Sequence, residues 1–174
     1  IMIGEIRDEE TAQIAVRAAI TGHLVLSTLH TNDAPGAITR LVDMGVEPYL
    51  AADAIVAVIA QRLVRKLCPN CREPYTAEGN EMMILNLDKP VRLYRAVGCP
   101  ACQNSGYRGR TAIHEVMMVG REHRNIIARG GSAEEIREVS ISQGMVDLYE
   151  SCRQLVLNGV TSIQELVKTV YARD

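Results

Sequence analysis

The sequence predicts an α/β fold with a parallel sheet at its head, and three features of the 174 residues carry that prediction. Ile1-Met2-Ile3-Gly4-Glu5-Ile6-Arg7-Asp8 is an apolar strand that ends on an acidic residue and leads into a helix. A helical pattern and a second apolar run, His23 to Leu29, complete a strand–helix–strand unit, and two such strands in one sheet are parallel with a right-handed crossover. Beyond Cys68 a Pro- and Gly-rich stretch holding two Cys-x-x-Cys pairs breaks the pattern, and a strand and a helical tail follow it.

Composition narrows the class. Hydrophobic residues make up 47% of the chain with no Phe or Trp, so the core is built from Ile, Leu, Val, Met and Ala. The net charge of −2 argues against a dedicated nucleic-acid binder. No apolar run approaches the ~20 residues needed to span a membrane. Four of five cysteines sit in the two pairs, which favours metal over disulfides and a reducing, cytosolic setting. Ile1 lies inside the first strand with no initiator Met, so we expect the chain to be the C-terminal part of a longer protein.

Each element has a local cause. Asp8 is placed to cap a first helix, whose apolar face is Ala12, Ala15, Val16, Ala19 and Ile20, and Gly22 ends it. After the second strand come His30, Thr31, Asn32 and Asp33, then Ala34-Pro35 at a helix start and Gly45 at its close. Pro48 opens a helix expected to run through about Ile59. Gln61 to Leu67 alternates apolar and basic residues into Cys68. Cys68 to Arg110 is an excursion with one short helix expected around Glu81 to Leu87. Thr111 to Val119 reads as a strand. Helices are then expected at about Arg121–Arg129, Ala133–Gly144, Met145–Asn158 and Ser162–Tyr171, with Ser132 and Thr161 or Ser162 as caps.

Chemistry concentrates in two places. Cys68-Pro-Asn-Cys71 and Cys99-Pro-Ala-Cys102 each offer two thiolates from one tight turn, and together they complete a tetrahedral four-thiolate Zn2+ site. Four ligands leave no open position, so the site is expected to be structural; a redox pair or incidental thiols is the alternative. Cys152, on a helical pattern, is a small buried hydrophobe. Glu5 stands at a strand's C-terminal end, where a carboxylate can order Mg2+ or position a water, or simply face solvent. His23 and His30 begin and end the second strand, with His30 at the same sheet end as Glu5. His114 and His123 receive no task. Arg40, Arg62, Arg65 and Lys66 could meet phosphate, although a solvated face or a subunit contact is the simpler reading for each.

Together these stretches resemble the secretion ATPases of the type II secretion and type IV pilus assembly family, over nearly the whole chain. Ile1 to Asp8 is similar to that family's Walker B, with Gly in place of the usual Asp. Thr21-Gly-His-Leu-Val-Leu-Ser-Thr-Leu-His-Thr-Asn-Asp33 resembles its His box. Gln61-Arg-Leu-Val-Arg65 and the tetracysteine motif, ending in Gly106-Tyr-Arg-Gly-Arg110, follow in the family's order.

The resemblance implies a partial RecA-like core over residues 1–67, a metal-binding excursion over 68–110, and a strand with a C-terminal helical bundle over 111–174. It implies Glu5, His23 and His30 as catalytic positions and Arg62 near nucleotide or a neighbouring subunit. It also implies ATP with Mg2+, a Zn2+ at Cys68, Cys71, Cys99 and Cys102, and a hexamer. The partners would be platform and cytoplasmic-domain proteins at the inner face of the bacterial inner membrane. Glu47-Pro48-Tyr49-Leu50 and Gln61–Arg65 lean towards type II secretion; pilus extension is the near alternative, and a non-enzymatic zinc-binding interaction domain the distant one. Three departures stand out. No Gly-x-x-x-x-Gly-Lys-Ser/Thr occurs, the arginine-supplying N-terminal domain is absent, and Ser151-Cys152 stands where many relatives have Asp-Gly.

Overall fold

The computed structural model describes residues 1–170. Capping chemistry sets its first helices. Asp8 Oδ1 accepts from Thr11 N at 2.8 Å and starts α1 (Glu9–Ile20), whose Ala12, Ala15 and Val16 are buried. Asp33 Oδ1 accepts from Gly36 N at 2.7 Å and starts α2 (Ala34–Asp43), with Pro35 in the first turn. Gly22 and Gly45 follow these helices as expected.

The remaining elements are α3 (Pro48–Ala54), β1 (Ala57–Leu67), β2 (Glu73–Thr76), α4 (Asn80–Ile84), β3 (Arg92–Arg95), β4 (Tyr107–Met118), α5 (Arg121–Ala128), α6 (Ala133–Ser142), α7 (Leu148–Leu157) and α8 (Ile163–Val170). The chain divides into two compact units, one of residues 1–60 with 115–146, the other of 61–114 with the chain from Asp147 onward. β1 is hydrogen-bonded to β4, and each unit holds one end of that pair. No helix among the described residues is long and apolar enough to cross a membrane.

The first unit is an α-rich layer. Ala12, Val16, Ile38, Leu41, Ala51, Met117, Ile127 and Ile136 form its core, drawn from α1, α2, α3, β4, α5 and α6. Ile3, Val25 and Leu29 pack against this core from one side, while Met2 and Leu24 face outward at 83% and 75% exposure. The opening stretch and His23–Leu29 were expected as buried strands of a parallel sheet. Their parallel sense holds at one bridge, Met2 to Leu26, with Ile3 N donating to Leu26 O at 2.9 Å and Ile6 N to Thr28 O at 3.0 Å. The extended RecA-like parallel sheet itself is not seen among the described residues. A parallel strand is buried only when both faces are covered, and here the core covers one.

The second unit is organised by a buried carboxylate. Glu165 of α8 is 4% exposed and accepts from Arg65 N, Nε and Nη2 of β1 at 2.8, 2.9 and 2.6 Å. Desolvation pushes its carboxyl up, but the Arg65 bonds outweigh this and hold it below the usual range. The Arg65 guanidinium also stacks on Tyr107, 4.0 Å from the ring centroid, and Tyr107 Oη lies 2.7 Å from Ser162 Oγ. Cys152 is fully buried on α7, as its helical position predicts.

Several boundaries differ from expectation. The Pro48 helix stops at Ala54 rather than Ile59, because β-branched Ile55, Val56, Val58 and Ile59 favour extended backbone and Val56 O accepts from Val119 N at 2.9 Å. β4 begins at Tyr107 rather than Thr111, since Gly106 O already accepts from Cys68 N at 2.9 Å. Within the excursion β2 and β3 pair antiparallel, Glu73 opposite Arg95 and Thr76 opposite Arg92, an element the Pro-rich composition conceals. The short helix ends at Ile84, three residues before Leu87. α7 begins after Asp147, whose Oδ1 accepts from Glu150 N at 2.7 Å, rather than at Met145. Of the C-terminal helices, α5 and α6 belong to the first unit, α7 and α8 to the second. Tyr171, the expected end of the last helix, lies outside the described residues.

His123 on α5 carries a pH dependence. It is 1% exposed, Gly120 N donates to its Nδ1 at 3.2 Å, and its Nε2 lies 2.9 Å from Ser140 Oγ. Ser140 Oγ donates to Ile136 O at 2.7 Å, so Nε2 carries the ring proton and the neutral ring is fully paired. Burial lowers its pKa from the ordinary 6.5. The unfolded chain therefore takes up this proton first, and the ring's contribution to stability is complete above about pH 6.5 and lost as pH falls through the folded value. Urea unfolding should show stability declining from about pH 7 to about pH 5, a window above the carboxylates. His123→Gln should flatten that decline; parallel declines in both proteins would remove His123 as its source.

Candidate functional site

Glu5 lies just past the parallel bridge, where Gly4 O accepts from Thr28 Oγ1 at 2.8 Å. Its Oε2 is 2.6 Å from Arg7 Nη2 and its Oε1 is 2.6 Å from His30 Nε2. Oε1 is shielded from solvent, with the His30 imidazole as its near neighbour. The Arg7 hydrogen bond lowers the Glu5 pKa, outweighing the opposing desolvation, so the carboxylate is ionised at neutral pH. An ionised, half-buried carboxylate beside an imidazole can orient a water or a hydrated Mg2+.

The expected site residues divide. Glu5 and His30 come together. His23 stands at the C-terminal end of α1, its Nδ1 3.3 Å from both Thr21 Oγ1 and Ala18 O. Arg62 belongs to the second unit, where Nη1 donates to Thr169 O at 3.1 Å. Arg7 was given no task from sequence, although two residues apart on extended backbone puts its side chain on the same side as Glu5.

The four cysteines converge. Cys68 and Cys99 Sγ are 3.9 Å apart, Cys71 and Cys102 3.8 Å, and Cys99 and Cys102 3.7 Å, with all four within 4.8 Å of one another. A tetrahedron of thiolates about 2.3 Å from Zn2+ has edges of about 3.8 Å, whereas a disulfide needs about 2.05 Å. The donor set and its spacing therefore fit a four-thiolate metal site and exclude a formed disulfide. Backbone holds the turns: Cys71 N and Arg72 N donate to Cys68 O, and Cys102 N and Asn104 N donate to Cys99 O. Gly98 and Gly106 are required here. Both have positive φ, and a Cβ at Gly98 would meet Asn104 O at 2.8 Å, one at Gly106 the Ala96 Cβ at 2.6 Å.

Electrostatics within the cluster are uneven. Desolvation pushes the Cys71 thiol up to about 11. Desolvation opposes ionisation at Cys102 too, but N–H donors from Cys99 and Gly106, each 3.2 Å from Sγ, draw it down to about 6. The Cys102 thiolate is thus the favoured one at neutral pH, and metal binding to a thiol set is in general coupled to proton release.

The model described as Type II/IV secretion system protein matches residues 1–168. The chain belongs to this family. It is 49% identical over 170 residues to "Type II secretion system protein E" of Pseudomonas aeruginosa, covering 97% of this chain and 34% of that protein. It is 48% identical over 170 residues to "Type II secretion system ATPase E" of Vibrio cholerae, with the same coverage of 97% and 34%. Against "Type IV pilus assembly ATPase PilB" of Thermus thermophilus it is 46% identical over 171 residues, covering 96% of this chain and 19% of that protein. The chain thus spans about a third or less of the length of these relatives. The crystal structure of the Legionella pneumophila ATPase DotB shares its fold, with TM-score 0.64 and 22% identity over 98% of this chain and 38% of that one.

Metal content tests the cysteine cluster. The purified chain should carry about one equivalent of zinc with Zn–S near 2.3 Å by X-ray absorption. Cys99→Ser should release it and render residues 68–110 protease-sensitive, because zinc–thiolate binding of about 10–16 kcal/mol would hold together the two Cys-x-x-Cys turns at the ends of this stretch. A metal-free protein in which Cys68 and Cys71 are disulfide-bonded would refute the assignment.

Proposed function

We propose that this chain is the portion of a hexameric ATPase, from Walker B onward, that couples ATP hydrolysis to type II protein secretion by driving pseudopilus assembly. It works in the cytoplasm against platform and cytoplasmic-domain proteins at the inner face of the inner membrane. The observation that carries the reading is the ionised Glu5 held at 2.6 Å from His30, within a chain of the secretion family. Type IV pilus extension is the second reading, because the pilus relative is 46% identical where the secretion relatives are 48–49%.

In this reading Glu5 orients the attacking water, and Mg2+ bound with ATP would supply charge neutralisation for phosphoryl transfer. His30 restrains the Glu5 carboxylate, His23 fills the other His-box position, and Arg62 lies near nucleotide or a neighbouring subunit. Residues 1–67 form the motor's share of a RecA-like core, 68–110 a structural zinc excursion, and 111–174 a strand with a C-terminal helical subdomain. The four thiolates fill the metal's coordination shell, so zinc orders the excursion and takes no part in hydrolysis.

Two measurements test this function. In the intact ATPase, Glu5→Gln keeps shape but removes the charge, so nucleotide binding persists while turnover falls about a hundredfold or more. A rate within a few-fold of the parent would end the assignment. The 174-residue chain alone should not hydrolyse ATP, because it carries no Gly-x-x-x-x-Gly-Lys-Ser/Thr loop to hold the β- and γ-phosphates. Mg2+-dependent turnover by this chain at the rate of an intact enzyme would contradict that.

A further inference from the structure

Behind the His30 loop, the start of α2 is held by two carboxylates and one guanidinium. Glu115 lies on β4, in phase with buried Met117, and is 1% exposed. Its Oε1 accepts from Ala34 N, the first residue of α2, at 2.8 Å. Asp33 caps the same turn through Oδ1 and presents Oδ2 to Arg137 Nη2 of α6 at 2.7 Å. The Arg137 fork extends Nη1 to within 3.8 Å of Glu115 Oε2, and its Nε lies 3.7 Å from Glu134 Oε2. These contacts lie within the first unit, as does the Glu5–His30 pair.

The geometry has a reason. The free N–H groups at a helix start favour carboxylates, yet two carboxylates at one helix end repel each other, and one here is cut off from water. Arg137 neutralises both and fixes the angle at which the chain enters α2. The chain from His30 to Asp33 is four residues long, and Thr31 Oγ1 donates to Asp33 O at 3.2 Å, tightening it. One end of this short loop is anchored at Glu115 and Arg137; the other carries the imidazole that meets Glu5.

We propose that Arg137 and Glu115 are positioning residues that hold the His30 loop so that its imidazole stays against Glu5. The proposal rests on the reading of Glu5 and His30 as the catalytic pair. Without the guanidinium, Asp33 and Glu115 separate, the cap of α2 turns, and the loop carries His30 away. The assignment links α6, which packs against α2, to the geometry of hydrolysis.

The chain has four histidines, so its 15N-histidine spectrum reads the loop directly. Arg137→Gln should shift the His30 ring-nitrogen signals and leave those of His123, which reports α6 through Ser140. Arg137→Lys, which keeps the charge and loses the fork, should restore part of the His30 shift. In the intact ATPase, Arg137→Gln should lower kcat on the order of tenfold, the scale of a small misplacement, with KM for ATP unchanged. Unmoved His30 signals, or His30 and His123 moving together as α6 loosens, overturn the positioning role. Full activity of Glu5→Gln alongside a His30 shift defeats the catalytic reading and leaves the loop anchor standing.

Discussion

A carboxylate removed from water must be met by donors, and this requirement shapes both units. In each, a glutamate that is nearly inaccessible draws an arginine and backbone N–H groups from distant parts of the chain. Glu165 ties α8 to β1 across 100 residues, and Glu115 ties β4 to the start of α2 across 81. Breaking such a pair by removing one partner costs about 3–5 kcal/mol, because the remaining charge stays buried. The helices thus take their places around fixed electrostatic points as well as around aliphatic contacts. With no Phe or Trp to fill volume, these points restrict the alternative packings that a core of Ile, Leu, Val, Met and Ala tolerates.

What the sequence made legible follows from how local each cause is. Asp8, Asp33 and Ser132 cap the helices that they precede because each cap needs only its own next three residues. The tetracysteine site was legible because paired thiols at that spacing have few other uses. The helix from Pro48 was read too long, since an apolar run with small residues suits helix and strand until a partner appears, and Val119 is that partner. Arg137 and Glu115 could not be matched from sequence: their bonds join α2, β4 and α6. A charged residue in phase with buried Met117 was the available signal, and it marks a burial that only tertiary contacts explain.

The Glu5 environment shows the same division. Its place at a strand end is written in the sequence, and so is His30 at the end of the next. That the two side chains meet at 2.6 Å, with Arg7 lowering the Glu5 pKa on the opposite oxygen, is a property of the folded backbone. His23 sits elsewhere because seven residues separate the two histidines, and Arg62 lies on β1 in the second unit.

The bond from Cys68 N to Gly106 O closes the neck of the cysteine excursion at the point where β1 ends and β4 begins. Chain entering and leaving the excursion is therefore already adjacent at this bond. The excursion beyond this neck is rooted in its own unit: Leu85 and Leu93 are fully buried, and Tyr149 Oη and Arg153 Nε of α7 donate to Ile84 O and Leu85 O, each at 2.7 Å. Changes of length are therefore cheap only in its exposed turns, such as Asp88-Lys89-Pro90, where loop-closure entropy varies slowly with length and nothing buried is removed. A protein engineer could graft a tag or a sensing module at that turn and leave both strands undisturbed.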